Sequence, residues 1–79
     1  MTVKVYLLIE AQVGRTKEVV EAIRKVQGVV SVDAVTGPYD AIAIMQGATL
    51  NGMGKLIVSK VHTIAGISRT VSCLVVSLP

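Results

Sequence analysis

Hydrophobic and polar residues alternate from Thr2 to Ala11, with Val3, Val5, Leu7 and Ile9 on one side and Lys4, Tyr6, Leu8 and Glu10 on the other. A period of two predicts a strand, here with a second face that is only half polar. Gly14 ends the pattern and the spacing becomes helical. Val19, Ile23 and Val26 recur on one side of residues 15–27, while Glu18, Glu21, Arg24 and Lys25 fill the wet side. Glu21 stands four residues before Lys25, the favourable order for an ion pair along a helix. Gly28 suits the left-handed residue that closes such a helix. Residues 29–36 read as a second strand, with Val30, Val32 and Ala34 opposed to Ser31 and Asp33, and Gly37-Pro38 punctuates it. Residues 41–46 make a third, Ile42 and Ile44 against Ala43 and Met45. The short connection between the two predicts an antiparallel hairpin.

The helical period returns over residues 49–65, with Leu50, Met53, Ile57, Val61 and Ile64 expected inward. Gly52 and Gly54 each cost about 1 kcal/mol relative to Ala in a helix interior, so the first turn is expected to fray or start late. Gly66 ends this helix as Gly28 ends the first. Residues 69–78 predict a last strand, with Val71, Cys73 and Val75 facing one way and Thr70, Ser72, Leu74, Val76 and Leu78 the other. The strings Val26-Gln27-Gly28-Val29 and Ile64-Ala65-Gly66-Ile67 echo each other as helix end, glycine, strand start. Strand-helix-strand therefore occurs twice, which is the α+β, ferredoxin-like βαββαβ order. In it two helices lie on one face of a four-stranded antiparallel sheet. The opposite face stays bare, and here it carries many apolar residues. Such a patch implies association, and two sheets facing each other across a two-fold axis would bury it.

Composition sharpens that expectation. Seventy-nine residues make a single domain, 1–79, and 52% of them are hydrophobic against 16% charged. A chain this short buries only about 60% of the surface it exposes when unfolded, so a second copy is the simplest cover for the excess. The net charge of +3 comes from basic residues scattered between Lys4 and Arg69, with no adjacent run to mark a nucleic-acid footprint. With no Phe or Trp and two Tyr, the count leaves almost nothing for a stacking platform for single strands. No apolar run approaches the roughly 18 residues of a membrane span. The stretch Val5–Ile9, closed by Glu10, is shorter than the core of a secretory signal. A cytoplasmic protein is the default.

Candidate chemistry is sparse. Cys73 alone excludes an internal disulfide and any paired-cysteine metal motif, and its apolar strand pattern points to a buried, inert thiol. His62 sits late in the second helix, where the dipole favours it without any function. It has no nearby cysteine or carboxylate with which to build a ligand set or a triad, though it could line a pocket between copies of the chain. Gly52-Met53-Gly54 lacks the spacing of a phosphate loop. No catalytic residue, metal or cofactor is expected.

Three strings, taken in order, resemble the ligand-sensing domain of the Lrp/AsnC transcription regulators. Val35-Thr36-Gly37-Pro38-Tyr39-Asp40 is similar to that family's V-T-G-x-Y-D turn. Ile64-Ala65-Gly66-Ile67-Ser68-Arg69-Thr70 resembles its helix-Gly-Val-x-x-Thr passage into the last strand. Gly14-Arg15 followed by Glu18-Val19-Val20-Glu21-Ala22 resembles its first helix. Full regulators carry a helix-turn-helix domain ahead of the sensor. This chain begins at the first sensor strand, so the resemblance implies a stand-alone module. It also implies homodimers formed through the sheets, dimers closing into an octamer, and a free amino acid or related metabolite held where dimers meet.

By the same resemblance Gly37, Tyr39 and Asp40 are the candidate ligand loop, and Thr70 and Ser72 are candidate hydroxyl donors on the last strand. An α-amino acid needs a counter-charge for its ammonium, which Asp40 carries, and donors for its carboxylate, which the amides of Tyr39 and Asp40 could supply. The plain alternative is that Gly-Pro-x-Asp is ordinary turn chemistry and that Thr70 and Ser72 reflect strand propensity. Three functions follow. The first is a non-enzymatic amino-acid sensor that co-assembles with full-length regulators. The second is a ligand-independent oligomerisation partner of such regulators. The third is a small dimeric α/β barrel enzyme, which the apolar inward positions disfavour for want of a proton-transfer pair.

Overall fold

The computed structural model describes residues 2–78. The opening alternation becomes strand β1, Val3–Ala11, with Val5, Leu7 and Ile9 buried. Helix α1, Thr16–Arg24, buries Val19, Val20 and Ile23. Strands β2, Val29–Ala34, and β3, Ala41–Gly47, follow as the expected hairpin. Helix α2, Leu50–Leu56, continues into a π-helical segment, Ile57–Val61, before strand β4, Ile67–Leu74. The sheet is antiparallel throughout, in the order β2-β3-β1-β4. This is the ferredoxin-like βαββαβ arrangement read from the sequence.

One face of the sheet holds the core. Val5, Leu7 and Ile9 of β1 and Ala41, Ala43 and Met45 of β3 form a single cluster with the buried residues of α1 and with Met53, Ile57 and Val61. The repeated glycine has a conformational cause. Gly28 has φ +93° and Gly66 φ +97°, the left-handed region in which each chain segment leaves its helix and turns back into the sheet.

The other face has no helix over it. Register sets Tyr6 opposite Ile44 and Cys73, and Leu8 opposite Ile42 and Val71, which makes an apolar band across three strands. The band has polar ends. Lys4 Nζ lies 5.3 Å from the Tyr6 ring centroid, and Arg69 pairs with Glu10 at 3.5 Å.

Several expectations are corrected. Cys73 is exposed rather than buried, because its register with Tyr6 puts it on the uncovered face. Helix α1 stops at Arg24, so Lys25 is its cap and the Glu21–Lys25 pair does not form; Glu18 pairs with Arg15 instead at 2.8 Å. Strand β2 ends at Ala34, and a register shift between Val29 and Ser31 leaves Val30 59% exposed. Helix α2 starts on time, since the Thr49 hydroxyl accepts from the Gly52 amide at 3.0 Å and so caps the weak first turn. Leu50, expected inward, is 57% exposed, and Leu56 packs against the core in its place.

The second helical run also ends at Val61 rather than Ala65. Its last turn is wide, with the His62 amide donating to the Ile57 carbonyl at 2.9 Å. Two hydroxyls accompany this: Ser59 donates to the Lys55 carbonyl at 2.7 Å and Thr63 to the Ser59 carbonyl at 3.1 Å. Such back-bonding competes with the regular ladder and bends helices. Strand β4 begins two residues early, at Ile67, and residues 75–78 continue past it without strand structure.

Candidate functional site

The turn between β2 and β3 is closed on itself and tied to β1 through Asp40. The Asp40 amide donates to the Ile9 carbonyl at 2.8 Å, and the Val35 amide donates to the Asp40 carbonyl at 3.0 Å. The Asp40 side chain reaches across the same gap, its Oδ2 accepting from the Ala11 amide at 2.8 Å. That bond falls where the β1–β4 register shifts, between Glu10 and Ala11. The carboxylate thus serves a backbone donor at an irregular strand end. Tyr39 and Asp40 are half-buried and Gly37 is exposed at the tip of the turn. The Asp40 amide, expected to be available to a ligand carboxylate, is already used by Ile9.

Thr70 and Ser72 sit elsewhere. Their register partners on β1 are Ile9 and Leu7, both buried in the core, so the two hydroxyls lie on the helix-covered face. The cover is incomplete over β4. A groove of about 490 Å³ opens between this strand and the second helical run. Val5, Met53, Ile57 and Leu74 line it, with Leu50 and Val58 on the helix side. Thr70, Ser72 and His62 are its polar residues, and His62 Nε2 lies 3.1 Å from Thr70 Oγ1. Apolar walls with a few placed polar groups are the usual make-up of a small-ligand site.

The candidate residues therefore divide within one subunit. Thr70 and Ser72 share the groove, while Gly37, Tyr39 and Asp40 do not line it. Both groups stand toward the same end of the sheet, since Ala41, next to Asp40, and Thr70 flank Ile9 on opposite sides. Two strand spacings, about 10 Å, separate those flanking backbones. His62 lines the groove within one subunit, where its sequence position suggested a dipole-favoured helix end or a pocket between copies of the chain. It and Thr70 face each other across the turn at Gly66, and a helix joined to a strand by a short turn brings its last residues beside that strand's first. Among the described residues, no group of three or more His, Cys, Asp or Glu could hold a metal ion. No helix among them is long and apolar enough to cross a membrane.

Comparison with known proteins adds to the geometry. Residues 4–79 match the family model described as the Lrp/AsnC ligand binding domain. An uncharacterized HTH-type transcriptional regulator of Pyrococcus furiosus is 36% identical over 56 residues, 71% of this chain and 37% of that protein. A crystal structure of a Thermus thermophilus protein superposes with a TM-score of 0.90 at 25% identity, covering 98% of this chain and 96% of that one. A transcriptional regulator of Neisseria meningitidis, solved as a complex with L-Met, superposes with a TM-score of 0.84 at 17% identity. That likeness, one of fold, covers 95% of this chain and 50% of the Neisseria protein. The chain thus spans about a third to a half of the two regulators it resembles.

Proposed function

The chain belongs to the Lrp/AsnC ligand-binding domain family, and from that premise we propose that it senses a small amino acid or a closely related metabolite on behalf of regulators of this type. It binds and carries out no reaction. It works in the cytoplasm as a homodimer joined through the open sheet faces, with dimers assembling further toward an octamer and co-assembling with full-length regulators. The observation that carries this reading is the groove beside β4, apolar along its walls and bearing His62, Thr70 and Ser72.

The division of the site supports an assembly. An amino acid carries both an ammonium and a carboxylate. Among the described residues, the groove lining supplies hydroxyls and an imidazole but no carboxylate. Asp40 of a neighbouring subunit supplies the missing charge. Its Oδ2 is held by the Ala11 amide, which fixes the direction of the carboxylate, and an ionised carboxylate has lone pairs for further donors. Gly37 and Tyr39 present it, and Thr70 and Ser72 meet the polar head from the other side. The N. meningitidis regulator solved with L-Met supports the ligand class.

Calorimetric titration of the assembled protein with each proteinogenic amino acid is the test. Saturable binding of at least one, weakened in an Asp40→Asn variant, is expected. No binding by any of them would defeat the reading. One observation favours a second reading, a ligand-independent oligomerisation partner: the amide and one carboxylate oxygen of Asp40 already serve the fold. Capture of a full-length regulator to the same extent with and without added amino acids would support that alternative.

A further inference from the structure

The sheet has two edges, β2 and β4, and the chain treats them differently. An edge strand offers a row of backbone donors and acceptors to any other strand, and proteins blunt it with bulges, charges or side-chain cover. The β2 edge has all three. Its register shifts between Val29 and Ser31, and it carries Asp33. The Val35 amide bonds Asp40 across the hairpin, so by alternation Val32 turns its backbone groups outward, and Arg24 donates to the Val32 carbonyl at 3.4 Å. The β4 edge has no such guard. The Val75 amide donates to the Lys4 carbonyl at 2.9 Å. In an antiparallel ladder the odd-numbered residues of β4 therefore bond β1, and the N–H and C=O of Thr70, Ser72 and Leu74 point away from the sheet. Among the described residues no side chain hydrogen-bonds these groups. Arg69 is paired with Glu10, and from Thr70 to Leu78 there is no charge, glycine or proline, while Thr70, Val71, Val75 and Val76 are β-branched. An uncharged run of that make-up on an open edge is one that pairs with another strand.

We infer that the strand it pairs with is the same edge of a second copy, added antiparallel about a two-fold axis at Cys73. In this register Ser72 bonds the partner's Leu74 and Thr70 bonds the partner's Val76, so every outward residue from Thr70 to Val76 is engaged. Arg69 falls opposite the partner's Ser77, and the two Arg69 side chains stay apart. The guard on β2 selects the second copy: with that edge blocked, edge-to-edge pairing joins β4 to β4. Such a contact is isologous and closed, and leaves no edge from which a fibre could grow. It lies in the plane of the sheet, apart from the open face, and so gives the chain a second two-fold contact through which dimers meet dimers. It needs no ligand. The side chains of Thr70 and Ser72 remain in the groove while their backbone groups make the pairing.

The native thiol provides the test. Cys73 is exposed, and in this register it and the partner's Cys73 form a non-hydrogen-bonded pair with Cα atoms about 4.5 Å apart, within the span of a disulfide. The intact protein at micromolar concentration is treated with diamide, which takes up the two electrons and two protons that the thiols release, and linkage is timed on non-reducing gels. A short strand pair alone is marginal in water, so the disulfide traps a contact that is brief once the open faces are parted. The parent and Leu8→Glu, in which the open-face contact is broken, are both expected to give a covalent species of twice the 8.3 kDa chain mass. In the Leu8→Glu background, Val76→Pro removes an outward amide and keeps the Val75 bond to β1, and Val76→Lys puts a charge into the run. Val76 is 67% exposed, so neither change touches the core. The two-fold counts each substitution twice, and either is expected to slow linkage by about tenfold or more. Linkage that fails in Leu8→Glu, or that keeps its rate in either Val76 variant, overturns the inference and leaves the amino-acid reading standing.

Discussion

Asp40 holds the fold and, in the proposed reading, the ligand as well, and the two duties are separable. Its side chain accepts the Ala11 amide at 2.8 Å. Asp40→Ala removes that acceptor and leaves a half-buried donor unpaired, which is expected to cost about 1–3 kcal/mol in chemical denaturation. Asp40→Asn keeps an acceptor for Ala11 while removing the charge. It is expected to stay within about 1 kcal/mol of the parent while losing about tenfold or more in amino-acid affinity. Equal loss of affinity and stability in both variants would reduce Asp40 to a turn residue. The sequence made Asp40 legible as a turn carboxylate and left its partner hidden. Ala11 is 29 positions away, at the end of β1 where the register with β4 shifts. Cys73 misled for a related reason: its apolar neighbours suggested burial, whereas its parity decides the face and the helices cover the other one.

At the scale of elements, the alternation of β1 and the glycine echo carried nearly the whole topology, because periods of two and of about 3.6 are local properties. The irregular places were not legible. The shifts at Val29–Ser31 and Glu10–Ala11 are settled by pairing across the sheet, and the wide turn at Ile57–Val61 follows side-chain hydroxyls that compete for carbonyls. The glycines provide a graded test. A Cβ at Gly54 meets no atom within 4 Å, so Gly54→Ala is expected to stabilise the chain by about 0.5–1 kcal/mol through helix propensity and a less free unfolded chain. Gly28 has φ +93°, and a Cβ there would lie 3.1 Å from both the Gln46 carbonyl oxygen and a Leu56 methyl. Gly28→Ala is therefore expected to destabilise by about 1–2 kcal/mol or more. Thermal midpoints moving in opposite directions would support this account of the two glycines, and midpoints moving together would contradict it.

Over the whole molecule, the excess of hydrophobic residues has a definite place. The helix-covered face accounts for the core. The remaining apolar band, Tyr6 and Leu8 with Ile42, Ile44 and Val71, lies across the open face, edged by Lys4 and by the Glu10–Arg69 pair. An apolar centre with a polar rim is the anatomy of a protein interface. Composition alone indicated that something must cover it, while the split of the candidate site between groove and turn became visible only in the fold. In the proposed reading both points lead to the same expectation, a working unit of more than one copy of the chain. Sedimentation velocity at micromolar concentration tests this most directly, with the parent run beside Leu8→Glu, which places a charge at the centre of the band. The account predicts that the parent sediments as a dimer or a multiple of dimers and that Leu8→Glu shifts toward the 8.3 kDa monomer; a parent that is itself a well-behaved 8.3 kDa particle would contradict it.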